Sequence, residues 1–187
     1  MLLAVMLLTA GCEPDADRVP DREADTQRMA DQESTDAGVS VETMVEQTLS
    51  PAPDRPYPPF LDRLNEPERV ETEVVENRHV PGQMDTVRTY IYDGLEIEVY
   101  DRSQDERKLV RRIELLEPGF DHGLEFDVGD QEMDVRQAMG EPEEAENGEL
   151  RFRLTQNADD PVSAPNHLHV RLRNDRVDAL RWSFYVD

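Results

Sequence analysis

Two runs of alternating side chains flank the dipeptide Asp93-Gly94. Val87, Thr89 and Ile91 alternate with Arg88, Tyr90 and Tyr92 before it, and Leu95, Ile97 and Val99 resume the alternation after it. A repeat of two residues puts every second side chain on one face of a strand. Gly94 reaches positive φ without the Cβ clash that other residues meet, so the dipeptide closes a tight hairpin. A chain with this feature must build antiparallel sheet around it. A third strand is predicted over residues 108–116, ended by the breaker Pro118-Gly119. Three more follow at 150–154, 167–172 and 178–186, the last two joined through the turn pair Asn174-Asp175.

Between these groups, residues 128–142 read as a helix of three turns. Asp130 is the expected N-cap, and Glu132 and Asp134 fall in the first turn, where the helix dipole favours anions. Val135, Ala138 and Met139 share one face, Gly140 supplies a left-handed cap, and Pro142 prevents continuation. The order β-β-β-α-β-β-β predicts an α+β domain over 61–187, an antiparallel sheet with one helix packed on one face.

Charge excludes some functions. The chain has 43 Asp and Glu against 20 Lys and Arg, a net charge of −23, and Lys108 is its only lysine. Nucleic acid would need the opposite sign, and anionic headgroups would repel the folded part. Residues 12–60 read as an acidic, proline-bearing tether, unable to bury enough apolar surface to offset its ordering entropy. Within it, Val41, Met44, Val45, Thr48 and Leu49 follow the spacing of one helical face. Two readings fit this island: a helix that frays for want of a partner, or a short helix that docks on another envelope protein.

The N-terminus sets the address. An apolar run from Leu2 to Leu8 is too short to span a bilayer but suits a signal h-region, and it leads through small residues to Cys12, the sole cysteine. Leu8-Thr9-Ala10-Gly11-Cys12 resembles the lipobox of bacterial lipoproteins. The resemblance implies removal of a signal peptide at 1–11, acylation of Cys12, and attachment to membrane through the lipid. It also implies outer-membrane sorting facing the periplasm, since Glu13 is not the aspartate of inner-membrane retention. Acyl chains contribute about 0.8 kcal/mol per buried methylene, so two or three anchor a soluble domain firmly. Gly129 to Pro142, in the form Gly-x5-Val-x4-Gly-x-Pro, resembles the helix–Gly–Pro–strand units of the SmpA/OmlA outer-membrane assembly lipoproteins and of folds like the β-lactamase-inhibitor protein. Residues 76–95 are similar to segments of uncharacterised bacterial lipoproteins.

Three groups of side chains could carry chemistry. His167 and His169 share a strand face and could chelate a metal if Asp121 and His122 joined them; partly exposed histidines on a solvated face fit the same letters, and no metal is assigned. Strand alternation gathers Arg151, Arg153, His167, His169, Arg171, Arg173 and Arg181 on one sheet face. They pair with Glu96, Glu98 and other carboxylates, or they form a docking surface for an acidic envelope partner through bidentate guanidinium geometry. The third is the polar loop Asn77-Arg78-His79-Val80-Pro81-Gly82-Gln83, where Pro81-Gly82 predicts a type II turn. No Gly-x-Ser-x-Gly elbow, phosphate loop or His-Glu-x-x-His occurs. The sequence reads as a lipid-anchored binding or scaffold accessory of envelope machinery without cofactor or catalysis, the alternative being an inhibitor or ligand-binding lipoprotein and the third reading an enzyme or metal-binding protein.

Overall fold

A computed structural model describes residues 37–50, 56–105, 107–154 and 165–185. The signal segment, Cys12 and residues 13–36 and 51–55 of the expected tether lie outside them. The elements are helix α1 (Val41–Leu49), a 3-10 turn (Pro59–Arg63), strands β1 (Arg69–Glu76), β2 (Met84–Tyr92), β3 (Leu95–Asp101) and β4 (Lys108–Leu115), helix α2 (Glu132–Met139), and strands β5 (Glu144–Glu146), β6 (Glu149–Leu154), β7 (Asn166–Arg173) and β8 (Arg176–Ser183). All eight strands form one antiparallel sheet in the order β1-β2-β3-β4-β8-β7-β6-β5. Two four-stranded meanders thus meet at β4 and β8, and the connection carrying α2 runs from the sheet's centre to its far edge.

The turns explain the hairpins. Gly94 closes β2–β3 with φ of +69°, and Asn174 and Asp175 close β7–β8 with φ of 53° and 59°, the double positive φ of a type I′ turn. Asn147 and Gly148 repeat that geometry between β5 and β6, with φ of 53° and 77°.

One face of the sheet is apolar. Leu95, Ile97, Val99, Ile113, Leu115, Leu168, Val170, Leu180 and Trp182 are buried there, and Val135 of α2 packs into the same core. The α+β class holds, but the described residues form eight strands rather than six and two helices rather than one. β1 carries no apolar alternation facing a core, and β5 is Glu144-Ala145-Glu146, so burial periodicity had nothing to register. Helix α2 begins one residue later than its charge pattern suggests and has eight residues. Asp134 accepts from the Gln131 N–H at 3.1 Å, while Asp130 instead accepts from the Asp127 N–H at 2.8 Å.

The larger correction concerns residues 37–50 and 56–60, which fall within the expected tether. Ser40 caps α1 by accepting from the Thr43 N–H, and Ala37, Val39, Val41, Met44 and Phe60 belong to the main core. Backbone bonds hold this segment: Glu42 N–H to Asp121 C=O at 3.1 Å, Asn65 N–H to Ala37 C=O at 2.9 Å, and Lys108 N–H to Pro56 C=O at 3.1 Å. The island's helical face therefore has a partner, its own sheet. Met44 is fully buried, so Met44→Ala should lower unfolding free energy by about 2–5 kcal/mol in urea titration. An undocked helix would leave the midpoint unmoved.

Candidate functional site

The face opposite the helices is charged from β3 across to β5, while β2 sets Val87, Thr89 and Ile91 on it. On β6 and β7, Arg151 lies opposite His169 and Arg153 opposite His167; on β7 and β8, His169 lies opposite Arg181. The structure brings all seven predicted residues to this face, each held by a carboxylate. Arg153 donates to Glu143 at 2.7 Å, Arg151 to Glu144, Arg171 to Asp178 at 2.7 Å, Arg173 to Asp178 at 3.2 Å, and Arg181 to Glu149 at 2.7 Å. His169 Nδ1 is 2.7 Å from Glu149, and His167 Nε2 is 3.4 Å from Glu143. Arg112 extends the network to Glu96 at 3.3 Å, Glu98 at 3.6 Å and the buried Glu114 at 2.9 Å. Exposure varies along it: the side chain of Arg173 is 74% exposed and that of Arg171 46%. Burial pushes the His167 pKa down, reinforced by Arg151 and His169 and opposed by Glu143.

The histidines do not converge with the second pair. His122 packs 6.2 Å from the Trp182 ring on the apolar side, whereas His167 and His169 stand 5.9 Å apart on the charged side. Leu124 N–H donates to His122 Nδ1 at 3.2 Å, which places the ring proton on Nε2, 3.3 Å from Asp127. Among the described residues no group of three or more His, Cys, Asp or Glu could hold a metal ion.

The loop 77–83 forms the wall of a cleft of about 630 Å³ lined by Glu73, Val75, Arg78, Tyr100, Arg102 and Arg111 among others. Gly82 has φ of +80° and Gln83 N–H donates to Val80 C=O at 3.1 Å, as the type II turn requires. Asn77 organises the loop: its Oδ1 accepts from the His79 and Val80 N–H groups at 2.8 and 3.0 Å, and its Nδ2 donates to Asp85 at 2.7 Å. Asp85 is fully buried and also accepts from the Ser103 N–H and hydroxyl at 2.8 and 2.9 Å, from Gln83 at 3.1 Å, and from the Tyr100 hydroxyl. Burial alone would push its pKa up. The Ser103 N–H outweighs it together with Tyr100, Asn77 and Gln83, and holds the carboxyl well below the usual range. Tyr100 is pushed the other way, by burial first and then by the Asp85 carboxylate.

Sequence reasoning found the loop and missed its anchor. Tyr100 and Ser103 lie 15 and 18 residues from Asp85 and meet it only across the β2–β3 pairing; no local spacing marks them. β1 did leave a signal, the β-branched Val70, Thr72 and Val74 at alternate positions.

Compared with protein-family models, with curated proteins and with solved structures, the chain matches none.

Asp85→Asn would face its amide against several donors and cost about 1–3 kcal/mol for each one stranded. Because the folded pKa lies below the ordinary 3.8, the carboxylate's contribution is fully present above that pH and is lost as pH falls below it. Urea denaturation from pH 5 downward should show wild-type stability falling below about pH 4 and the variant changing less over the same window.

Proposed function

We infer that the protein is a lipid-anchored envelope protein that acts by binding, its folded module presenting the charged sheet face to a protein of the periplasm or outer membrane. The observation that carries this reading is the ordered array on that face. Guanidinium groups on three adjacent strands are each fixed by a neighbouring carboxylate, so a partner meets preset donors and acceptors rather than mobile side chains. The resemblance of Leu8 to Cys12 to a lipobox supports the anchor. The acidic stretch after it supports a module standing off the headgroups. Helix α2, Gly140, Pro142 and β5 give a helix–Gly–Pro–strand unit of the kind noted in small envelope lipoproteins.

A second reading, a ligand-binding or inhibitor lipoprotein, draws on one observation. The cleft beside loop 77–83 has a volume within the range that holds a small ligand, and the buried Asp85 network fixes its wall.

Labelling cells with a fatty-acid probe should mark the wild type and leave Cys12→Ala unlabelled and outside the membrane fraction. Label on the Cys12→Ala chain would remove the anchor from this account. In-cell crosslinking of chains carrying Arg151→Glu and Arg171→Glu should recover the envelope partner at least several-fold less well than wild type, because reversed charges repel the groups those arginines meet. Equal recovery would shift the binding role from the sheet face to the cleft.

A further inference from the structure

The two ends of the sheet are built differently. At one end β5 has three residues, too short to template another chain. At the other, β1 has eight, all exposed except Val75, and among the described residues nothing pairs with its outer side. A row of backbone N–H and C=O groups about 25 Å long therefore faces solvent.

Its side chains sort by face. Arg69, Glu71, Glu73 and Val75 lie on the charged side, opposite Ile91, Thr89, Val87 and Asp85 of β2. Val70, Thr72, Val74 and Glu76 lie on the other, opposite Tyr90, Arg88, Thr86 and Met84. Val70, Val74 and Met84 are 44%, 61% and 51% exposed, so the helices leave this end of the apolar face uncovered. The cleft runs along the same strand, with Glu73, Val75 and Glu76 in its wall.

We propose that β1 is a docking edge for an extended cationic segment of a partner protein, which joins the sheet as an added strand. In this mode main-chain hydrogen bonds supply affinity and alternate side chains supply selectivity. Charge decides the occupant. A second copy is disfavoured in the two-fold antiparallel register centred on Thr72, which overlaps most of the strand, because Glu71 of each strand faces Glu73 of the other and like charges directly opposite destabilise the pair. The net charge of −23 on each molecule adds to that repulsion. A segment alternating Lys or Arg with Val or Ile sets its cations against Glu73 and against Glu71, whose exposed 2.9 Å pair with Arg69 it would share or displace, and its apolar side chains over Val70 and Val74. The glutamates thus protect a long edge from self-association while admitting one class of strand.

This proposal rests on the reading that the module acts by binding, and it is independent of Cys12 and of the arginine face. The full chain in non-ionic detergent is titrated with a peptide alternating lysine and valine, with backbone amide shifts and hydrogen exchange as readouts. Saturable binding should appear, with protection gained at residues 69–76. A glutamate–valine peptide should bind at least about tenfold more weakly, two cross-strand charge pairs being lost, and alternate N-methylation of the lysine–valine peptide should weaken it similarly. Glu71→Lys with Glu73→Lys should reverse the preference between the two peptides. Equal binding of the N-methylated peptide, or protection elsewhere in the sheet, overturns the proposal, since the peptide would then be held only by the general negative field. Unchanged peptide binding in Cys12→Ala and Arg171→Glu chains supports it and separates its fate from that of the lipid-anchored reading.

Discussion

The pairing of β4 with β8 is the contact on which the rest depends. Arg112, Ile113, Glu114 and Leu115 lie opposite Ser183, Trp182, Arg181 and Leu180, and this short ladder fuses two meanders into one sheet. On one side it sets Ile113 and Leu115 beside Trp182 and Leu180 at the middle of the core. On the other it sets Glu114 within reach of Arg112 at 2.9 Å and Arg171 at 3.5 Å. Joined, the two meanders give a surface wide enough for α1, the Pro59–Arg63 turn and α2 together.

That one-sidedness governs the electrostatics. With helices on only one face, the other must meet water, and a twofold side-chain repeat puts every polar alternate there. In so acidic a chain an isolated carboxylate on the sheet would be repelled by its neighbours. Interleaving arginines relieves this, and the long guanidinium stems cover the strands beneath them. Single exposed pairs contribute little; a network spanning β3 to β8 chiefly fixes geometry. β1 is less densely paired: Arg69 holds Glu71 at 2.9 Å, and Glu73 shares the cleft wall with Arg78, Arg102 and Arg111.

Legibility followed burial. β3, β4, β6, β7 and β8 each bury one face and were readable as alternation, as was β2, although β2 buries Asp85 and Val87 on one side and Tyr92 on the other; the Gly94 and Asn174-Asp175 turns announced their own hairpins. The Asn147-Gly148 turn was equally marked, but its leading strand is two glutamates around an alanine and shows no period. α1 was readable as a helix, yet amphipathic spacing cannot say where the partner of its apolar face lies. The arginine face followed from alternation, its individual carboxylate partners did not, and the Asp85 anchor gave no sign because its donors come from three separate places in the chain.

What the sequence by itself determined is therefore local: strand and helix periods, turn chemistry, the excess of negative charge, and the lone cysteine behind an apolar run. Tertiary structure alone decided that two meanders share a sheet, that residues 37–50 belong to the core, and that one long edge is left unpaired among the described residues. The reason is that period and turn type are set by neighbouring φ and ψ angles and side-chain sterics. Docking, by contrast, is set by which distant apolar faces can be buried together, and no short window of sequence contains both partners.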